Sequence, residues 1–136
     1  MNTIKIQIPT LPENIKIIES FIDNAKESYK FNDDIYGNVM IAVTEAVNNA
    51  IFHGNKEDKN KKVTLTLELH EDEINFKVED EGPGFDPESL PDPTAPENLE
   101  KPGGRGIFII KNLADKYKFE NEGRLTNMTF TITRNN

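Results

Sequence analysis

Glu45, Asn49 and His53 lie four residues apart within a run, Ile41 to Gly54, that is otherwise rich in Ala, Val and Ile. On a helix that spacing stacks the three polar side chains along one face. A solvated helix face and a ligand-binding face both fit the pattern. The stripe is narrow, however, and asparagine gains little in mid-helix unless its amide has a partner. In a binding site the amide oxygen of Asn49 is a hard donor suited to magnesium, which takes few protein ligands and fills its octahedron with phosphate and water. The Glu45 carboxylate, one turn earlier, could orient or deprotonate an attacking hydroxyl or water.

A second acidic position stands out by its phase. Ile74, Phe76 and Val78 alternate with polar residues, so a strand through them turns Asp80 inward, while Glu79 and Glu81 point away. A buried carboxylate is costly without a donor. A nearby backbone amide or lysine could supply one. So could a ligand, and the exocyclic amine of adenine fits an acceptor at the bottom of an apolar pocket. Gly82 and Gly84 follow directly, in Glu81-Gly82-Pro83-Gly84-Phe85, where glycine permits close approach of backbone to a flat ring or an ordinary turn. A further cluster, Gly103-Gly104-Arg105-Gly106, stands at the start of a predicted helix, where free amides favour phosphate oxygens. Its spacing is neither a Walker A loop nor a Rossmann fingerprint, and the protein-kinase signature set is missing.

The elements that must position these groups are legible as patterns. Ile4, Ile6 and Ile8 alternate with polar residues as in a short strand. Thr10-Leu11-Pro12-Glu13 has the spacing of a capping box, and Leu11, Ile15, Ile18, Ile22 and Ala25 form the apolar stripe of a first helix. Asn32-Asp33-Asp34 starts a second helix that Gly54 ends, so the polar stripe falls on a helix of about residues 32–54. Val63, Leu65, Leu67 and Leu69 share one face of a strand, Glu71-Asp72 offers a turn, and the strand through Phe76 completes a hairpin. Six of the eight prolines fall between Gly82 and Gly104, where no apolar pattern survives. A loop of that length predicts a lid or binding loop. Residues 106–114 then read as a helix, and 117–121 and 125–133 as strands around Glu122-Gly123. The expected architecture is a single α+β domain over residues 1–136, a two-layer α/β sandwich with a mixed sheet covered on one face by helices.

Composition narrows the function classes. A formal charge of −8 opposes a phosphate backbone as partner, which excludes nucleic acid. No apolar run reaches the roughly 20 residues of a membrane helix, and no secretory signal opens the chain. With no cysteine there is neither a disulfide framework nor a thiolate metal site, and the expected location is cytoplasmic.

Three blocks in this order resemble the Bergerat-type (GHKL) ATP-binding fold, and most of all its small anti-sigma-factor serine/threonine-protein kinases. Thr44 to Gly54 resembles the N box, Glu79 to Phe85 the first glycine box, and Gly104-Arg105-Gly106 the second. The resemblance covers nearly the whole chain and implies ATP and Mg2+ as ligands. It implies Glu45 as catalytic base and Asn49 as magnesium ligand. Asp80 would hold the adenine amine. His53, Gly82, Gly84, Gly103, Gly104, Arg105 and Gly106 would complete the nucleotide site. It further implies phosphorylation of a serine on a small anti-sigma-factor antagonist, with a sigma factor and a second copy of the chain as further candidate partners. The alternative is a nucleotide-dependent module that sequesters a regulator without efficient transfer. The chain departs from the family pattern in three places. Its first helix has no arginine, Lys101 is separated from the second glycine box by Pro102, and Asn127-Met128 stands where a Gly-Thr pair is common.

Overall fold

The computed structural model describes residues 2–83 and 104–132. Strand β1 (Asn2–Pro9) leads through a short 3-10 turn (Pro12–Asn14) into helix α1 (Ile15–Tyr29) and helix α2 (Asp33–Asn49). A single π turn (Ala50–Gly54) continues α2. Strands β2 (Lys62–Leu69) and β3 (Glu73–Glu79) form a hairpin, and helix α3 (Gly104–Leu113) precedes β4 (Lys116–Glu120) and β5 (Leu125–Thr131).

The five strands lie in the order β1-β2-β3-β5-β4, and every neighbouring pair is antiparallel. The expected mixed sheet is therefore corrected to an antiparallel one. The reason is topological: β3 and β4 run in the same direction, but β5 folds back from β4 and inserts between them. The two-layer α+β arrangement itself holds. Val63, Leu65 and Leu67 of β2, Ile74, Phe76 and Val78 of β3, and Met128 and Phe130 of β5 are buried on one face, against Ile18, Ile22, Val39, Val43, Val47 and Ile110 of the helices. Phe76 and Phe130 meet edge to face at 6.2 Å between centroids, a geometry that suits the ring quadrupoles. The other sheet face is polar. There Lys77 Nζ donates to Glu68 Oε1 at 2.9 Å, and Asn75 Nδ2 donates to Asn127 Oδ1 and Thr129 Oγ1.

Helix starts show where local signals succeed and fail. Asn32 caps α2 as its sequence predicts, its Oδ1 accepting from Ile35 N at 2.9 Å. The capping box at Thr10 does not form: Leu11 occupies the cap position and makes no side-chain cap bond. Pro12, at the start of that turn, has no N–H to satisfy. The Thr10 hydroxyl is buried instead and donates to the carbonyl of Lys61 at 2.7 Å.

Candidate functional site

The polar stripe of α2 faces the start of α3. Glu45 and Asn49 are both half-buried. A Cβ placed on Gly106 would lie 2.7 Å from Asn49 Nδ2 and 3.2 Å from both Asn49 Oδ1 and Glu45 Oε2. Only glycine lets the first turn of α3 approach these two side chains so closely. The carboxylate, the amide and the helix N-terminus thus converge. Gly104 and Arg105 are the first two residues of α3. Gly84, Gly103 and Lys101 fall outside the described residues, as does the expected lid except for residues 82, 83 and 104.

Where the α-helix gives way to the π turn, Asn55 N donates to Ala50 O at 2.8 Å. Such widened turns recur at functional sites. His53 lies on this turn and is exposed, so it does not share the half-buried setting of Glu45 and Asn49. The turn also brings Gly54 against the end of β3. A Cβ on Gly54 would stand 2.5 Å from Asp80 Cγ, and one on Gly82 would enter the carbonyl group of Gly54. Two glycines therefore allow helix end and strand end to touch through bare backbone.

Asn55 holds this junction from behind. It is 1% exposed. Its Nδ2 donates to Thr10 Oγ1 at 2.9 Å and to Lys62 O at 3.0 Å, and its Oδ1 accepts from Glu81 N at 2.7 Å. One amide thus links the ends of β1 and the π turn to the start of β2 and the end of β3. Glu81 turns outward, as its phase predicts, and its Oε2 accepts from Lys62 N at 2.8 Å.

Asp80 sits inward and half-buried at the end of β3. Its Oδ1 accepts from Gly82 N at 2.8 Å, so one of its donors is a local backbone amide. Among the described residues Oδ2 has no hydrogen-bond partner. Burial raises the carboxyl above the usual range, against the opposing pull of the Gly82 amide and of the Arg124 and Lys61 charges, while Glu79 adds to the rise. Among the described residues, the carboxylate is thus an inward acceptor with one oxygen bonded and the other without a donor.

Motif reasoning passed over Arg124, Asn55 and Thr126. Arg124 follows the left-handed residues Asn121, Glu122 and Gly123, outside any of the three blocks. Its Nε donates to Gly82 O at 2.6 Å, and its own carbonyl accepts from Asp80 N at 2.9 Å. Thr126 pairs with Val78 in register and so shares the inner face with Met128. Asn127 is on the polar face, so Thr126 is the hydroxyl nearest in phase to Asp80. Period-two alternation after Arg124 would have revealed this.

A model of the histidine kinase-like ATPase domain matches residues 8–130. The chain belongs to the histidine kinase-like ATPase domain family. Within it, the chain is similar to serine-protein kinases RsbW. The relative from Bacillus cereus (strain B4264) is 30% identical over 138 residues, covering 96% of this chain and 86% of the relative. That from Bacillus subtilis (strain 168) is 29% identical over 130 residues, covering 90% and 81%. That from Oceanobacillus iheyensis is 26% identical over 125 residues, covering 88% and 79%. Among solved structures, the RsbU and RsbW domains of Rv1364c from Mycobacterium tuberculosis align with a TM-score of 0.71 at 13% identity, over 99% of this chain and 34% of that one. This last likeness supports the fold. Membership of the ATPase family and the resemblance to RsbW agree with the three blocks read from the sequence. No helix among the described residues is long and apolar enough to cross a membrane.

Proposed function

We propose that this chain is an ATP-dependent serine/threonine protein kinase of the anti-sigma-factor type, which phosphorylates a small antagonist protein and so regulates transcription by partner switching. The observation that carries the reading is the convergence of Glu45 and Asn49 on Gly106, with Asp80 held across the π turn. Asp80 accepts the adenine amine through its free oxygen. The N-terminal amides of α3, including that of Gly106, face the phosphates, with Gly104 and Arg105 beside them.

The donor set suits magnesium. Among the described residues no three His, Asp or Glu side chains cluster as a self-sufficient metal cage. Asn49 offers a single hard oxygen, the sparse protein ligation that magnesium accepts when phosphates and water complete its shell. When bound, the ion neutralises charge on the phosphates and orients them for in-line transfer. Glu45, one turn from Asn49, receives or orients the proton of the substrate hydroxyl as it attacks. Positioning and charge stabilisation supply the remainder of the catalysis.

The partners in this reading are the antagonist and, in the alternate complex, a sigma factor. For a homodimer, the support is the edge strand β1 with Ile4 exposed on it, and the exposed Ile17, which lines a surface hollow with Ile6 of β1. Incubating the chain with magnesium, γ-labelled ATP and candidate antagonists from the same genome tests the proposal. The expected product is one antagonist labelled on serine or threonine. Binding of both ATP and an antagonist without any transfer would replace the kinase by a nucleotide-dependent sequestering module.

A further inference from the structure

Three hydrogen bonds close a ring through Asp80, Gly82 and Arg124. The Gly82 amide donates to Asp80 Oδ1 at 2.8 Å, Arg124 Nε donates to the Gly82 carbonyl at 2.6 Å, and the Asp80 amide donates to the Arg124 carbonyl at 2.9 Å. The guanidinium is anchored elsewhere too: Nη2 donates to Pro83 O at 3.3 Å and Nη1 to Asn121 O at 3.2 Å, with Glu122 Oε2 at 3.4 Å. On its other side Gly82 is stopped by the carbonyl of Gly54. The turn that orients the Asp80 carboxylate is therefore held between a helix end and a planar cation. A guanidinium fork is suited to this, since it directs several donors at fixed angles.

We propose that Arg124 is a positioning residue that sets the orientation of the Asp80 carboxylate and thereby the preference of the site for a 6-amino purine over a 6-oxo purine. The proposal rests on the assignment of Asp80 as the adenine acceptor. A carboxylate with Oδ1 tied to Gly82 presents Oδ2 at one fixed place, where an exocyclic amine donates to it and an exocyclic carbonyl is repelled. Discrimination of this kind depends on the acceptor being unable to turn away from the wrong base. Without the arginine, the Gly82 carbonyl loses its side-chain donor, the turn loosens, and the carboxylate can rotate to relieve the repulsion.

The test uses the whole chain with Arg124→Met and Arg124→Lys. Calorimetry gives the ratio of the GTP and ATP dissociation constants, and amide NMR across a pH series follows Gly82, whose N–H reports on the Asp80 carboxylate directly. The charged groups acting on that carboxylate are Arg124, Glu79 and Lys61. Wild type should prefer ATP, and its Gly82 amide should move as Asp80 titrates. Arg124→Met should lower the ratio about tenfold, the scale of one charge-assisted hydrogen bond, and shrink the Gly82 movement. Arg124→Lys should recover part of both, because an ammonium can still donate to one carbonyl. Dispersed amide spectra establish that each variant is folded. An unchanged ratio in Arg124→Met, or an unchanged Gly82 titration, overturns the proposal. A wild type that fails to bind ATP overturns the nucleotide reading and the purine preference with it; the Gly82 titration then decides on its own whether Arg124 positions Asp80.

Discussion

Replacing Asp80 by asparagine separates what this carboxylate costs the fold from what it contributes to the ligand. Asparagine can keep the bond from the Gly82 amide through its own Oδ1, while an NH2 group takes the place of the free Oδ2. That NH2 would face the adenine amine donor to donor. Losing a charge-assisted bond of about 2 kcal/mol raises the dissociation constant about 30-fold. At a nucleotide concentration 100 times the wild-type constant, ligand linkage adds about 2.7 kcal/mol to wild type but only about 0.9 kcal/mol to the variant. For a chain of 136 residues, at about 4 °C per kcal/mol, the melting temperature should rise by about 10 °C in wild type and about 3 °C in the variant. The ligand-free proteins should show the opposite ranking. Because burial raises the Asp80 pKa in the folded state, the folded state holds this proton more tightly. Stability therefore falls as pH rises from the unfolded-state pKa through the folded-state pKa, and stays reduced above it. Asparagine escapes that loss, so ligand-free Asp80→Asn should melt above wild type at neutral pH and the advantage should vanish in acid. Thermal melts with and without Mg-ATP, at two pH values, measure all four quantities. Equal nucleotide shifts in both proteins would refute the adenine role, and a variant less stable than wild type at neutral pH would refute the burial argument.

Glu45→Ala should keep most of its ATP affinity but lose about 10²- to 10⁴-fold in phosphoryl transfer, whereas Asn49→Ala should also lose magnesium-dependent binding; calorimetry alongside a labelled-ATP assay distinguishes the two. Gly82→Ala forces a methyl into the Gly54 carbonyl, so denaturant melts should show a loss of about 1–3 kcal/mol and calorimetry a weakened nucleotide site. Asn55→Leu removes the partners of Glu81 N, Lys62 O and Thr10 Oγ1 together; it should destabilise the domain by about 2–4 kcal/mol in the same melts, and a loss under 1 kcal/mol would show that the junction does not depend on it.

Period-two patterning carried much of the sheet. Val63, Leu65 and Leu67, and Ile74, Phe76 and Val78, all turn inward as their alternation requires, and the same phase places Asp80 inward. Helix spacing likewise anticipated the buried Ile18, Ile22 and Ala25. What remained hidden depends on residues distant in the chain. Sheet direction was misread because local pattern does not say that β5 lies between β3 and β4. Thr10 looks like a helix cap until Lys61 and Asn55 arrive to bond its hydroxyl. Arg124 carries no motif, and its importance comes from the Gly82 carbonyl 42 positions away. The π turn was invisible too, since its residues continue a helical pattern up to Gly54.

The strand order also shapes the time course of folding. The β2–β3 and β4–β5 hairpins close over short turns, with Leu69 opposite Ile74 and Glu120 opposite Leu125. By contrast β1 must find β2 across the whole helical segment, Ile4 opposite Leu67, and β5 must find β3 across the segment containing α3, Phe130 opposite Ile74. Such distant pairings carry the loop-closure entropy that slows folding. Asp80 meets Arg124 only after the second of these encounters. A nucleotide site that includes Asp80 is therefore expected to form late on the folding route, after the principal barrier. Saturating Mg-ATP should leave the refolding rate in stopped-flow experiments nearly unchanged and slow unfolding by almost the full binding energy. The ligand prolongs the life of the folded protein without hastening its birth.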